Sequence, residues 1–584
     1  MIKLAHFSVK EYLISEHLHK HHKEKVAYFA LSKQTAHSTI CQICLAYLLQ
    51  FDTLEPLDKN LTESSPLAQY AAEHWIFHAK SSDHDESESS SLFILMKKLL
   101  ASNNYAFSRW IQIHDIDGVN MPWMNRNQLN NAMPLYYASM AGLTRISCHL
   151  LEQGADANLE GGSYGTALQA ASYKCHDTVV NLLIKNGANV NMQRGLYGNA
   201  LEAASAAGHE VIVMSLLERG ADVNSQGGHY GNALVAAAYE GHKAIVNLLI
   251  DRGADVNSQT GSCGTALSAA SQLGHIEIVI LLIEKGADIN AKVEHYGNAL
   301  VAGASRGHKG IVNMLISKGA DINADTGLYG TALSSASQHG HIEIVTLLIE
   351  MGADINAQGE HYGNALVAAA SRGHKAIVNL LIHKGVNMNA WAGIYGTALS
   401  AASKHGDIEM VILLIEMGAD INAQGGHYGT ALVAAASRGQ KEIVNLLINQ
   451  GADVNAEAGL YGTALSEASS RGHIDIVMLL IEIGADINAQ AGHHGTALVA
   501  AASGGQKEIV NLLINQGADV NAEKGLYGNA LSAASSHGHI EIVMLLIEMG
   551  ADIKAQEGVE ETKFSTGRRE LVDYLINRRG KEKQ

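Results

Sequence analysis

The chain has 584 residues, 47% of them hydrophobic, with a formal net charge of −17 and only 4 prolines against 58 glycines. The acid excess argues against nucleic acid as the main ligand, because phosphate binding needs a basic footprint. Five cysteines, Cys41, Cys44, Cys148, Cys175 and Cys263, show no disulfide-framework spacing, which points to a reducing compartment. The start, MIKLAHFSVKEYL, lacks the apolar core of a signal peptide. No stretch reaches the ~18 apolar residues of a membrane span. The expectation is a soluble intracellular protein, cytoplasmic or also nuclear, with no membrane partner.

Residues 1–80 read as a helical region. LAHFSVKEYLISEHL is amphipathic, TAHSTICQICLAYLLQF predicts a second helix, and SPLAQYAAEHWIFHA a third, with Pro66 near its start. These stretches resemble the segment after the nucleotide-binding NACHT module of fungal signalling proteins. There LAHFSVKEYL closes a winged-helix-like domain, and a repeat array comes further on. Residues 1–80 would then be a remnant of such a domain, and because Met1 falls inside the motif the nucleotide-binding module is expected to be missing. A P-loop needs GxxxxGK[ST]. The single Gly-Lys pair, Gly580-Lys581, is followed by glutamate, so ATP hydrolysis is not expected.

Residues 81–91 are an acidic, serine-rich linker. Residues 92–130, with SLFILMKKLL and AFSRWIQIHDIDG, predict a helical adaptor. Its Trp110 and Trp123, with Met133, are expected to cover the apolar N-terminal end of the array downstream.

From 131 to 556 the chain repeats. The glycine at Gly165 recurs every 33 residues through Gly198, Gly231, Gly264, Gly297, Gly330, Gly363, Gly396, Gly429, Gly462, Gly495 and Gly528. With a divergent first copy around Leu135, that makes about thirteen copies. In the copy Tyr428–Leu460, Thr430 predicts an N-cap. Leu432, Ala435 and Ala436 give a small-residue seam, and Gly439 a helix stop. Ile443, Val444, Leu447 and Ile448 mark one face of a second helix that Gly451 ends. An extended finger then turns near Gly459. Neither helix is long enough to stand alone, so each copy must bury its faces on its neighbours. At a helix spacing of 8–10 Å the stack would run roughly 110–130 Å.

The pattern GxTALxAAxxGHxxIVxLLIxxGADxNA resembles ankyrin repeats, although Thr-Pro-Leu-His is replaced by Thr/Asn-Ala-Leu-Val/Ser. The fold class it implies is an all-α ankyrin-repeat solenoid, helix-turn-helix plus finger loops, behind the N-terminal helical domain. Residues 557–584, with RRELVDYLINRRG, read as a degenerate repeat and a polar, basic C-terminal cap.

Copies alternate in two kinds, HYGNALVAAASRGHKAIVNLLI and LYGTALSSASQHGHIEIVTLLIE, so the unit is 66 residues long, as after duplication of a two-repeat block. Equivalent positions then form ladders. One is aromatic, from Tyr164 to Tyr527, a residue type that either packs the finger or offers a binding surface. A second alternates histidine with leucine or isoleucine at the finger tips and includes His295, His361 and His427. A third closes the first helix: Arg306, His339, Arg372, His405, Arg438, Arg471 and His537. In ankyrin proteins the finger tips and first helix line the concave binding face. That resemblance makes this groove a candidate site for protein partners, acidic or extended; a merely solvated face stays open. Trp391, beside the irregular stretch Gly385–Asn389, joins the candidate contacts.

No chemistry stands out. His37, Cys41 and Cys44 share a helix face, and His74 and His78 pair at i, i+4, but no second cysteine pair completes a zinc set. The repeated Gly-His, from His209 to His539, is replaced by Asp407, Gln440 and Gln506, so no reaction could depend on it throughout. It reads as a cap or a bridge between loops, and the aspartate of Gly-Ala-Asp as a loop hydrogen-bonder. We expect no catalytic, cofactor or metal site and no small-molecule substrate. The function expected is non-enzymatic binding of polypeptides on the concave face; the alternative is the sensor fragment of a fungal NACHT-type innate-immunity or incompatibility receptor.

Overall fold

The computed structural model describes residues 33–53, 65, 67–82, 90–101, 105–117 and 134–552, apart from 262, 294–296, 327–329, 360–362, 458, 461 and 524–525. LAHFSVKEYLISEHL, Trp123, Met133 and the basic C-terminal stretch lie outside these residues. The chain divides into two compact units, 1–266 with 284–286, and 267–283 with 287–584.

In the first unit, α1 (Lys33–Leu48) packs against α2 (Ala68–Ser81) through Cys41, Leu45, Leu48, Ala72 and Trp75, all fully buried. The cysteines and histidines that could be read as ligands are used locally. The Cys41 thiol donates to the Trp75 carbonyl (3.3 Å), His37 and His78 share a hydrogen bond between their Nδ1 atoms (2.7 Å), and His78 Nε2 meets the Tyr70 hydroxyl at 3.1 Å. Burial pushes the Cys44 thiol up to about 11, so it packs as a small hydrophobe. Ser90 caps α3 (Ser91–Leu99) by accepting from the Phe93 amide. In α4 (Tyr105–Ile113), Trp110 donates to the Ala72 carbonyl (3.1 Å) and lies edge-on to Trp75 at 5.2 Å. Trp110 also meets Tyr137 of the first repeat helix, Pro134–Met140, with ring centres 5.8 Å apart.

Four helix pairs complete this unit, from Pro134–Met140 with Thr144–Glu152 to Ala233–Glu240 with Lys243–Asp251. In the second unit the pairs run on to Ala530–His537 with Ile540–Glu548. The copy at Gly429 shows why. Its first helix, Ala431–Ser437, begins where Thr430 accepts the Val433 amide, and all seven of its residues are buried because alanine lets the neighbouring first helices close in. Its second helix, Lys441–Asn449, buries Ile443, Val444 and Leu447. Ile448, expected in that stripe, is half-buried: the second helices form an outer layer, so only its inward edge is covered. Asparagine or threonine caps the first helix at every position from Thr166 to Asn529 for which a cap is seen. Fingers return on themselves in minimal antiparallel pairings, two residues long at Glu160–Gly161 with Gly165–Thr166 and single bridges elsewhere, such as Ala392 with Gly396. Among the described residues no helix is long and apolar enough to cross a membrane.

Candidate functional site

Three hydrogen-bond ladders fix one repeat to the next and so set where surface side chains stand. The first is the Gly-His pair. Gly340 has φ +81°, and the ring of His374 lies where a Cβ on it would be. His374 Nε2 donates to the Gln338 carbonyl at 2.9 Å, 36 residues back; His308 does the same to Gln272 (3.0 Å) and His341 to Ser305 (3.1 Å). The imidazole is therefore an inter-repeat tie. Where Asp407 replaces it, the carboxylate caps its own helix by accepting the Met410 amide (3.0 Å).

The second ladder runs through the asparagine of Ala-Asp-Ile-Asn. Asn422 Oδ1 accepts the Asp453 amide (2.8 Å), and its Nδ2 donates to the Gly451 carbonyl (3.2 Å), both in the next repeat. Asp420, as expected of the Gly-Ala-Asp aspartate, stays local and accepts the Asn422 amide at 2.9 Å. The inter-repeat role of asparagine is not visible from one copy, because its partners sit 29 and 31 residues away.

The third ladder joins finger tips by backbone alone. His427 donates to the Ile394 carbonyl (3.1 Å), Leu460 to His427 (2.9 Å), His493 to Leu460 (2.9 Å) and Leu526 to His493 (2.9 Å). The tips thus form a continuous edge whose side chains, His427, Leu460 and His493 among them, stay exposed.

The aromatic ladder differs between units. In the first, Tyr197 is buried and stacks on Tyr173 at 4.8 Å, Tyr164 at 5.9 Å and Tyr230 at 6.2 Å. That is packing. In the second, Tyr395, Tyr428 and Tyr527 are only half-buried. The Lys404 ammonium sits 4.7 Å from the Tyr395 ring centre and 4.5 Å from that of Tyr428, a cation–π clamp across two repeats.

The basic ladder lies beside it. Arg306, His339, Arg372, His405 and Arg438 occupy the ends of successive first helices and are exposed. Desolvation first, and then His341, Arg306 and Arg372, hold His339 below the usual histidine value against the upward pull of its bond to the Ser335 carbonyl. Arg372, His405 and Arg438 converge with Lys404, Tyr395 and Gln440 on one open cavity of about 380 Å³. Among the described residues no carboxylate lines it. Arg471 belongs to the ladder but is bound to Glu467. Trp391 is 60% exposed, its Cβ against Gly425. His295 and His361 lie outside the described residues. Three of the ten expected contact residues are thus brought into one cavity; Lys404, Tyr395 and Gln440 complete it. A lysine where flanking copies have Ser371 and Ser437 was the available signal for the first of these.

Among the described residues no group of three or more histidine, cysteine or acidic side chains is placed to hold a metal ion. A larger cavity of about 650 Å³ lies between α3 and the first repeat, but its Arg145 covers the Phe93 ring at 5.0 Å and is used in packing.

A family model for ankyrin repeats (3 copies) matches residues 135–227, 200–293, 234–326, 293–359, 333–425, 399–491 and 465–557. The chain is 36% identical over 194 residues to the azaphilone pigments biosynthesis cluster protein L of Monascus ruber, a match taking in 31% of this chain and 40% of that protein. The chain thus spans well under half the length of that relative. The crystal structure of the human ASB11 ankyrin repeat domain aligns at 25% identity with a TM-score of 0.33, over 38% of this chain and 98% of that one.

Proposed function

The chain belongs to the ankyrin-repeat family, and from that premise we propose that it is a non-enzymatic scaffold holding a polypeptide partner along its finger tips and first-helix ends. The partner is acidic or extended. The observation that carries this is the run Arg306, His339, Arg372, His405 and Arg438 on an otherwise acidic chain, with Arg372 and Arg438 facing one cavity that no carboxylate of the described residues lines. A local basic stripe on a protein of net charge −17 attracts acidic segments at short range while the whole molecule repels polyanions. The regular spacing of the tips favours an extended chain, which meets one rung after another. The test is binding of fluorescent acidic, neutral and basic peptide pools to the full chain. The acidic pool should bind best, and the double variant Arg372→Glu, Arg438→Glu should lose it; unchanged capture would remove the proposal.

A second reading rests on LAHFSVKEYLISEHL: the chain as the sensor segment of a NACHT-type fungal signalling receptor, with residues 1–80 derived from a winged-helix-like domain. Its test is the coding sequence upstream of Met1, where an in-frame P-loop would support it and its absence would count against it.

A further inference from the structure

The cavity at Tyr395 is more than a rung of a repetitive stripe. Several cations elsewhere in the array are paired with acids: Lys309 with Glu343 (3.1 Å), Lys507 with Glu541 (2.8 Å), Lys375 with Glu409, and Arg471 with Glu467 (3.2 Å). Around the cavity, among the described residues, Arg372, Lys404 and Arg438 have no such acidic partner. Arg372, Lys404, His405 and Arg438 come from three consecutive repeats, and the other lining side chains are neutral. Three permanent cations facing one cavity repel one another unless an anion joins them.

Duplication accounts for the alternation of arginine and histidine, since it copies both. It does not account for Lys404, whose counterparts one 66-residue unit away are Gln338 and Ser470 and whose counterparts in the adjoining copies are Ser371 and Ser437. Nor does it account for the company Lys404 keeps. Val386, Asn387, Met388, Trp391 and Asp407, also departures from the repeat, all fall in the same segment. These departures fall in the two adjoining copies, 362–394 and 395–427, that supply Arg372, Lys404 and His405 to the cavity. Its lysine is also held in place, clamped between the rings of Tyr395 and Tyr428, so its ordering is largely accomplished before any ligand arrives.

The donors decide the class of anion. Two guanidinium forks and an ammonium, with imidazole, phenol and amide groups beside them, exceed what one carboxylate's two oxygens and single charge can satisfy. A phosphate monoester brings nearly two charges and three acceptor oxygens, and arginine matches it in bidentate geometry. We infer that this cavity recognises a phosphorylated serine or threonine side chain of an extended polypeptide, the rest of which lies along the finger tips. The inference rests on the scaffold reading above and narrows it. The acidic chain as a whole disfavours a nucleic-acid phosphate in its place.

The test uses the full chain and fluorescein-labelled degenerate peptide pools that differ only at a central phosphoserine, serine or glutamate, with a single-stranded oligonucleotide and inorganic phosphate as competitors. Fluorescence anisotropy should show the phosphoserine pool bound about tenfold or more tighter than the glutamate pool. Lys404→Ser, which restores the residue of both flanking copies, should abolish the preference, as should Arg438→Gln; Lys404→Arg should keep it. Equal binding of phosphoserine and glutamate pools would overturn this inference and leave the scaffold reading standing. So would phosphopeptide binding that survives Lys404→Ser, a phosphoserine signal displaced by millimolar inorganic phosphate as readily as by phosphopeptide, or tighter binding of the oligonucleotide. No binding of any peptide pool would overturn both.

Discussion

Arg471 donates to the carboxylate of Glu467 one turn back at 3.2 Å, and that carboxylate is buried. Its second oxygen, Oε2, has no hydrogen-bond partner. Burial raises the Glu467 carboxyl, and Arg471 pulls it back toward the ionised form. The equivalent position in the flanking copies is Ala434 and Ala500, so Glu467 is an intrusion into an alanine seam. Arg471→Ala strands a buried carboxylate and should destabilise this part of the array by about 1–3 kcal/mol in urea melts. Adding Glu467→Ala should restore or exceed the original midpoint, because the seam regains its small residue. If Glu467→Ala alone were the more damaging change, the pair would be a net support for the fold and not an intrusion.

Glu202 gives a pH prediction for the first unit. It is fully buried, accepts the Tyr230 amide at 3.2 Å, and leaves Oε2 without a partner. Burial lifts its carboxyl from 4.5 to about 8, against the downward pull of the Tyr230 and Gly231 amides. Between those two values the unfolded chain has lost the proton and the folded chain retains it. Stability should therefore be greatest below pH 4.5 as far as this group is concerned, fall as pH rises, and level off above about 8. Glu202→Gln should remove that slope and raise the melting temperature at pH 8. The preceding copy already has glutamine there: Gln169 donates to the carbonyls of Arg194 (2.8 Å) and Gly198 (2.7 Å).

The aromatic ladder of the first unit predicts a packing cost. Tyr197 contacts three rings within 6.2 Å and is buried, so Tyr197→Ala should lose about 3–5 kcal/mol, while Tyr197→Phe should keep most of the stability. Differential scanning calorimetry separates the two; equal losses would mean the hydroxyl, and not the stack, is what matters.

Much of the fold was legible because each local choice repeats. Thr430 as a cap, Gly439 as a stop and the Ile443, Val444, Leu447 face are each set by neighbours within a turn or two. The features that stayed hidden depend on separations of about 30 residues. The ties of Asn422 to Asp453, of His374 to Gln338 and of Lys375 to Glu409 emerge only once copies are superposed in space. The same holds for the cavity. The stripe of Arg372, His405 and Arg438 could be read off the period, but that Lys404 joins them, and that Arg471 is held by a buried glutamate, are facts of packing. The alternation of two repeat kinds acquires a physical consequence in this way too: Lys309, Lys375, Lys441 and Lys507 each reach forward to an acid of the next copy, so ion pairs recur every 66 residues.

Asn422 tests the ties themselves. Its two side-chain hydrogen bonds are to the neighbouring repeat, and within its own repeat only its amide is engaged, with Asp420. Asn422→Ala should cost about 1–2 kcal/mol, and the loss should register as weaker coupling between adjacent repeats, seen as a broadened urea transition. A sharp transition at an unchanged midpoint would show that the asparagine ladder is incidental to stability.

Trp391 separates binding from folding. It is 60% exposed on the finger that leads into Tyr395, with its Cβ held close against Gly425. Removing an exposed ring leaves no cavity behind, so Trp391→Ala should move the melting temperature by no more than a surface change does, within about 0.5 kcal/mol. If the surface beside the basic cavity holds a partner, the same variant should weaken acidic-peptide binding by about tenfold or more, as loss of an aromatic contact at an interface does. The two readouts together decide the role of the ring. Unchanged stability with lost binding places Trp391 in the contact surface; lost stability with retained binding places it in the packing of the finger, and the contact surface then ends at the cavity.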